Sequence, residues 1–102
     1  MKQVIKIIKD TIAKCKQNGD MFHMPSLMRD DVKVTENELK PKGASLYRTE
    51  YQIDFSNGDW IHVETASKDM CRSYQVNPDR SVVEVKSSDS SLSFTDAWDE
   101  KY

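Results

Sequence analysis

The stretch YRTEYQIDFSNGDWIHVE, residues 47–64, decides the fold, because its apolar phase dictates both a hairpin and the loop that closes it. Tyr47, Thr49, Tyr51, Ile53 and Phe55 alternate with Arg48, Glu50, Gln52 and Asp54, the period-two pattern of a strand with one buried face. Ser56-Asn57-Gly58-Asp59 interrupts the alternation and Trp60-Ile61-His62-Val63-Glu64 resumes it. A two-residue turn at Asn57-Gly58 sets Phe55 against Trp60, but it puts Ile61 opposite Asp54 and Val63 opposite Gln52. The apolar residues would then be split between two faces of the ribbon, which a single core cannot bury. A three-residue loop, Ser56-Asn57-Gly58 with Gly58 left-handed in a bulge, pairs Ile53 with Ile61 and Tyr51 with Val63 and restores one apolar face. That register leaves Arg48, Glu50, Gln52, Asp54, Trp60, His62 and Glu64 facing water.

Outward from the hairpin, Val4, Ile8, Ile12 and Cys15, widened by Ile5 and Ile7, mark an amphipathic helix over residues 1–18 that Gly19 ends. Val32-Lys33-Val34 alternates like a strand. The capping-box spacing of Thr35 and Glu38 argues instead for a helix start, but Pro41 and Gly43 would end that helix within two turns, so a strand followed by a loop is expected. Leu27-Met28 would fit a short helical turn behind Pro25. Arg72, Tyr74 and Val76 lead into Asn77-Pro78-Asp79-Arg80, and Val83 and Val85 lead out, as a second hairpin that pairs Tyr74 with Val83. Ser87 to Ser93 reads as a serine-rich spacer. Phe94, Trp98 and Tyr102 stand four apart, which suits a short helix capped by Ser93; the segment is expected to fold back over the sheet or its edge, the alternative being a detachable partner-binding helix. The expected architecture is one α+β domain over residues 1–102. It comprises an N-terminal helix (1–18) packed on an antiparallel β-meander of four to five strands (32–86), closed by a spacer and an acidic-aromatic tail (87–102). Val4, Ile8, Ile12, Tyr51, Ile53, Ile61, Val63, Tyr74, Val83 and Val85 are its predicted core.

Composition agrees with a core one helix and one sheet thick: 102 residues are 37% hydrophobic, lean for a globular chain. Fifteen basic against 17 acidic residues give a net charge of −2, far from the profile of most nucleic-acid binders. The charges are uneven. Residues 1–17 hold five lysines against one aspartate, net +4, and the remainder holds ten basic against 16 acidic groups, net −6. Lysine at positions 2 and 6 interrupts the start of the chain before an apolar run develops, so no secretory signal is expected. No stretch is long enough to span a bilayer. A cytoplasmic protein with Cys15 and Cys71 reduced follows.

In the bulged register Glu50 stands opposite Glu64 and Gln52 opposite His62. Like charges across a ribbon repel, so Arg48, a protonated His62 or a cationic partner must compensate. Arg48, Glu50, Gln52, Trp60, His62 and Glu64 therefore make a candidate partner-binding face with Trp60 as its aromatic anchor. Phe94, Trp98 and Tyr102 are a second candidate surface. Lys2, Lys6, Lys9 and Lys16 would contact phosphates in the nucleic-acid alternative, although any amphipathic helix shows water such a row. A metal or acid–base reading of Glu50, His62 and Glu64 is set aside because a flat ribbon offers no cleft. Cys15, Cys71, His23 and His62 lack the paired short spacings of a zinc site. Three glycines, at 19, 43 and 58, make no phosphate loop, and no nucleophile elbow occurs.

The expected function is thus a small non-enzymatic protein-interaction module without cofactor or metal. Such a module would be an inhibitor, adaptor or regulatory accessory protein, of a kind viruses also encode, that masks a partner surface. A homodimer through a sheet edge is a further expectation, since Lys86 alone guards the last clear strand. A hydrolase or transferase using His62 with a glutamate ranks last.

Overall fold

A computed structural model describes residues 1–20, 22–39, 46–68 and 80–99. Helix α1 (Lys2–Asn18) is followed by strands β1 (Val32–Leu39), β2 (Leu46–Phe55), β3 (Trp60–Lys68) and β4 (Arg80–Ser87), a 3-10 turn at Ser90–Leu92, and β5 (Phe94–Asp99). The strands form one antiparallel sheet in sequence order, β1-β2-β3-β4-β5, so the fold is an α+β meander.

The β2–β3 hairpin has the expected register: Ile53 pairs with Ile61, Tyr51 with Val63, Gln52 with His62 and Glu50 with Glu64. Its loop is Ser56-Asn57-Gly58. The Phe55 N–H donates to the Asp59 carbonyl at 2.9 Å, and the Gly58 N–H donates to the Phe55 carbonyl at 3.0 Å. Gly58 has φ 97°, a region that an L side chain enters only with strain, and the Asn57 carboxamide oxygen accepts from the Asp59 N–H.

Helix α1 buries Val4, Ile5, Ile8 and Ile12 and ends in a left-handed Gly19. The Gly19 and Asp20 N–H groups turn back to the Lys16 and Cys15 carbonyls, so the helix stops on satisfied backbone rather than fraying. Its apolar stripe meets Tyr51, Ile53, Phe55, Ile61, Val63, Val83 and Val85 on one face of the sheet, with Phe22 completing the cluster. Every expected core residue within the described chain is there. Residues 22–31 are irregular, so Leu27-Met28 forms no helical turn. The Phe22 ring meets Tyr51 edge-on at 6.3 Å, and Arg29 holds Asp31 through two hydrogen bonds while lying over the Phe55 ring. No described helix is long and apolar enough to cross a membrane.

Three local expectations change. β1 continues through Thr35–Glu38, where the capping-box spacing competes with a free β2 edge and the strand wins. Val83 pairs with Thr65 on one side and Asp96 on the other, so β4 is an interior strand with both ladders filled. Tyr74 and the turn at 77–79, which were expected to form the second hairpin with Val83, lie outside the described residues, as do Cys71 and Tyr102. The segment beyond Ser87 is no loose spacer before a helix. The Asp89 carboxylate accepts from the Ser91 N–H and hydroxyl, the Ser87 hydroxyl donates to the Asp89 carbonyl at 2.6 Å, and this built turn delivers Phe94–Asp99 to the open edge of β4. Ser93 opens no helix there: its N–H closes the 3-10 turn on the Ser90 carbonyl, and its hydroxyl accepts from the Ser87 N–H. The helical piece is the 3-10 turn, and the sheet extends to Asp99.

Candidate functional site

Because side chains alternate, the face of the sheet turned away from α1 carries the residues between the core positions. Paired across the strands, they form rows. Glu50, Glu64 and Glu84 stand side by side on β2, β3 and β4; the next row holds Gln52, His62 and Lys86, and the next Asp54 and Trp60. No described element covers this face. Three adjacent glutamates in register are an unfavourable arrangement that their neighbours relieve unequally. Arg48 reaches along the face to Oε1 of Glu64, and Lys86 Nζ lies 3.3 Å from Glu84. Glu50 has neither lysine nor arginine against it among the described residues, and the His62 ring faces it, with Nε2 at 3.8 Å.

His62 is held in one orientation. Its Nδ1 lies 3.1 Å from Gln52 Oε1, while the other end of that carboxamide, Nε2, donates to Asp54 Oδ1 at 3.2 Å. Since Nε2 of Gln52 is the donor to a carboxylate, its Oε1 must be the acceptor, so Nδ1 of His62 carries the proton. The second ring nitrogen, Nε2, then faces Glu50 Oε1 at 3.8 Å and Glu64 Oε2 at 4.0 Å. Nitrogen and carboxylate oxygens lie within 4.8 Å of one another, a grouping able to hold a metal ion, and all three residues are half-buried. The cluster set aside from sequence for want of a cleft is thus a convergent one.

Trp60 sits 37% exposed at the edge of the same face. Its backbone is fixed by Ser88, whose hydroxyl accepts from the Trp60 N–H and whose own N–H donates to the Trp60 carbonyl. An open depression of about 370 Å³ lies against it, lined by Gln52, Asp54, Trp60, His62 and Lys86. The structure therefore brings Arg48, Glu50, Gln52, Trp60, His62 and Glu64 onto one surface and adds Glu84 and Lys86. The signal for those two was present in the sequence: Val83 and Val85 are buried, so Glu84 and Lys86 must face the other way.

The second candidate surface does not join the first. Phe94 pairs with Val85 and packs against the core, with Lys9 Nζ 5.0 Å from its ring centre. Trp98 stands opposite Ser81 in β5. Two of the lysines reach the same strand, Lys16 to Asp96 at 2.5 Å and Lys9 over the Phe94 ring, whereas Lys6 pairs with Asp10 on the exposed surface of the helix. Cys15, expected to be a buried thiol, is free and half-buried.

On the core side, a second concavity of about 410 Å³ opens between residues 24–27 and β1, lined by Met24, Leu27, Val32, Val34, Glu36 and Tyr51 among others. Burial pushes the Tyr51 phenol above its ordinary value of 10, Glu36 and Glu38 push the same way, and a hydrogen bond from the Met24 backbone opposes them. No family model, curated protein or solved structure matches the chain.

Proposed function

We propose that this protein is a non-enzymatic protein-interaction module, an inhibitor, adaptor or accessory subunit that masks a partner through the outer face of its sheet. The observation that carries the reading is Trp60, half-exposed on a backbone pinned by Ser88 and bordering an open depression on a face that no described element covers. A large ring on a fixed backbone has only two side-chain torsions to freeze, so it loses little entropy when it docks, which is the physical basis of an aromatic hot spot. Around it, Asp54, Glu50, Glu64 and Glu84 offer acceptors to arginine or lysine on the partner, and Arg48 and Lys86 offer donors. This mixed charge selects orientation and encounter rate more than raw affinity.

The test is capture from the source cell with wild-type and Trp60→Ala protein, followed by a titration with the purified partner. Trp60→Ala should weaken that binding by about 2 kcal/mol or more with an unchanged circular dichroism spectrum. Trp98→Ala is the control for the other surface. Equal binding by wild type and Trp60→Ala would place the interface elsewhere and end this reading.

A further inference from the structure

We propose that Glu50, His62 and Glu64 form a binding site for a divalent transition-metal ion of the zinc class, a property independent of the partner-binding reading. Three arrangements in the sheet point to it. His62 and Glu64 lie two residues apart on β3, and Glu50 stands directly across on β2, so the strand period and the bulged register put all three on one side of one ladder. The ring is oriented as metal-binding imidazoles are. Nδ1–H is engaged by Gln52, which Asp54 fixes in turn, and Nε2 lies 3.8 and 4.0 Å from the two carboxylates. Finally, the atoms that converge are of metal-ligating types: Nε2 of His62, Oε1 of Glu50 and Oε2 of Glu64, the Glu64 oxygen that Arg48 leaves unused. Two carboxylates facing one another repel unless a cation stands between them, and Glu50 draws none from the described lysines and arginines.

The size and charge fit. Zinc bonds to nitrogen and carboxylate oxygen at about 2.0–2.2 Å, which sets ligand atoms roughly 3.4 Å apart in a tetrahedral site. The observed separations of 3.8 and 4.0 Å contract to that by small rotations of half-exposed side chains. Two carboxylates and a neutral imidazole balance a divalent charge. One nitrogen and two oxygens suit zinc, cobalt or manganese better than the soft ions that thiolates select. Three protein ligands on an open face leave the remaining position to water.

Titration calorimetry of the full chain with zinc chloride, and absorption spectra with cobalt(II), decide the matter. The expected result is saturable binding of one ion per chain without a thiolate-to-cobalt charge-transfer band, unchanged in a Cys15→Ser/Cys71→Ser variant. His62→Ala should abolish it and Glu50→Gln should weaken it at least tenfold. Gln52→Leu, which removes the group orienting the ring, should cost about tenfold. Absence of saturable binding would overturn the site. So would binding that survives both His62→Ala and Glu50→Gln in folded protein, or binding lost with the cysteines.

Discussion

The two faces of this sheet are written by the same residues' neighbours, yet they are held by different physics. On the inner face Ile53, Ile61, Val63, Val83 and Val85 are all but fully buried, and each contributes by leaving water. On the outer face Glu50, Glu64 and Glu84 occupy equivalent cross-strand positions and oppose the pairing that brings them together. The inner residues impose the register and the outer ones accept it. What the contrast teaches is where to look for chemistry: in the face whose arrangement costs stability rather than supplying it.

The comparison breaks most visibly at neighbouring positions of β3. Ile61→Ala should lower stability by roughly 2–5 kcal/mol in chemical denaturation, while His62→Ala, one residue on and facing the other way, should stay within about 0.5 kcal/mol. Similar losses in both would show that the outer face is structural after all. A second distinction is in pH. The Tyr51 phenol titrates above its ordinary value of 10 because the folded state buries it, so its contribution is complete below that value and disappears as pH rises through the folded pKa. Tyrosinate absorbance should show one phenol ionising late, together with unfolding, and Tyr51→Phe should remove that late step. Were Tyr51 to ionise with the other tyrosines, the inner face would be more open to water than described. The smallest effect sharpens the outer face. Glu50→Gln removes one charge from the glutamate row and should raise stability by about 0.2–1 kcal/mol at low salt, a gain that shrinks as salt screens the row. A loss of stability there would mean that Glu50 is already compensated.

The hairpin was legible because two independent constraints met in it: an apolar alternation on both arms and a loop whose length had to keep them in phase. The outer cluster was legible as membership and not as geometry. Sequence places Glu50, His62 and Glu64 on one side, but the Asp54–Gln52–His62 relay that aims the ring depends on rotamers. That the C-terminal segment returns to the edge of the sheet was legible, but its strand conformation was not. Positions 94 and 98 share a face at the helical spacing of four and also at the strand period of two, so their aromatic pattern is ambiguous. What settles it is the open edge of β4, a feature of the assembled sheet. For the same reason Lys86 does not guard an edge. Among the described strands the edges are β1 and β5, and a pairing of copies through either remains a proposal for equilibrium sedimentation to judge.

Helix α1 leads the chain, but its partners come late. Val4, Ile5, Ile8 and Ile12 rest on side chains from Tyr51 to Val85, and Lys9 and Lys16 fasten to Phe94 and Asp96 of the final strand. Each pair of neighbouring strands closes through a local connection, whereas the helix must wait for contacts some tens of residues distant, and contacts of that separation form slowly. A chain emerging from the ribosome therefore carries a greasy, lysine-rich helix in the open until most of the meander has followed. That exposed interval, rather than the finished fold, is when the chain's apolar surface is most open to aggregation.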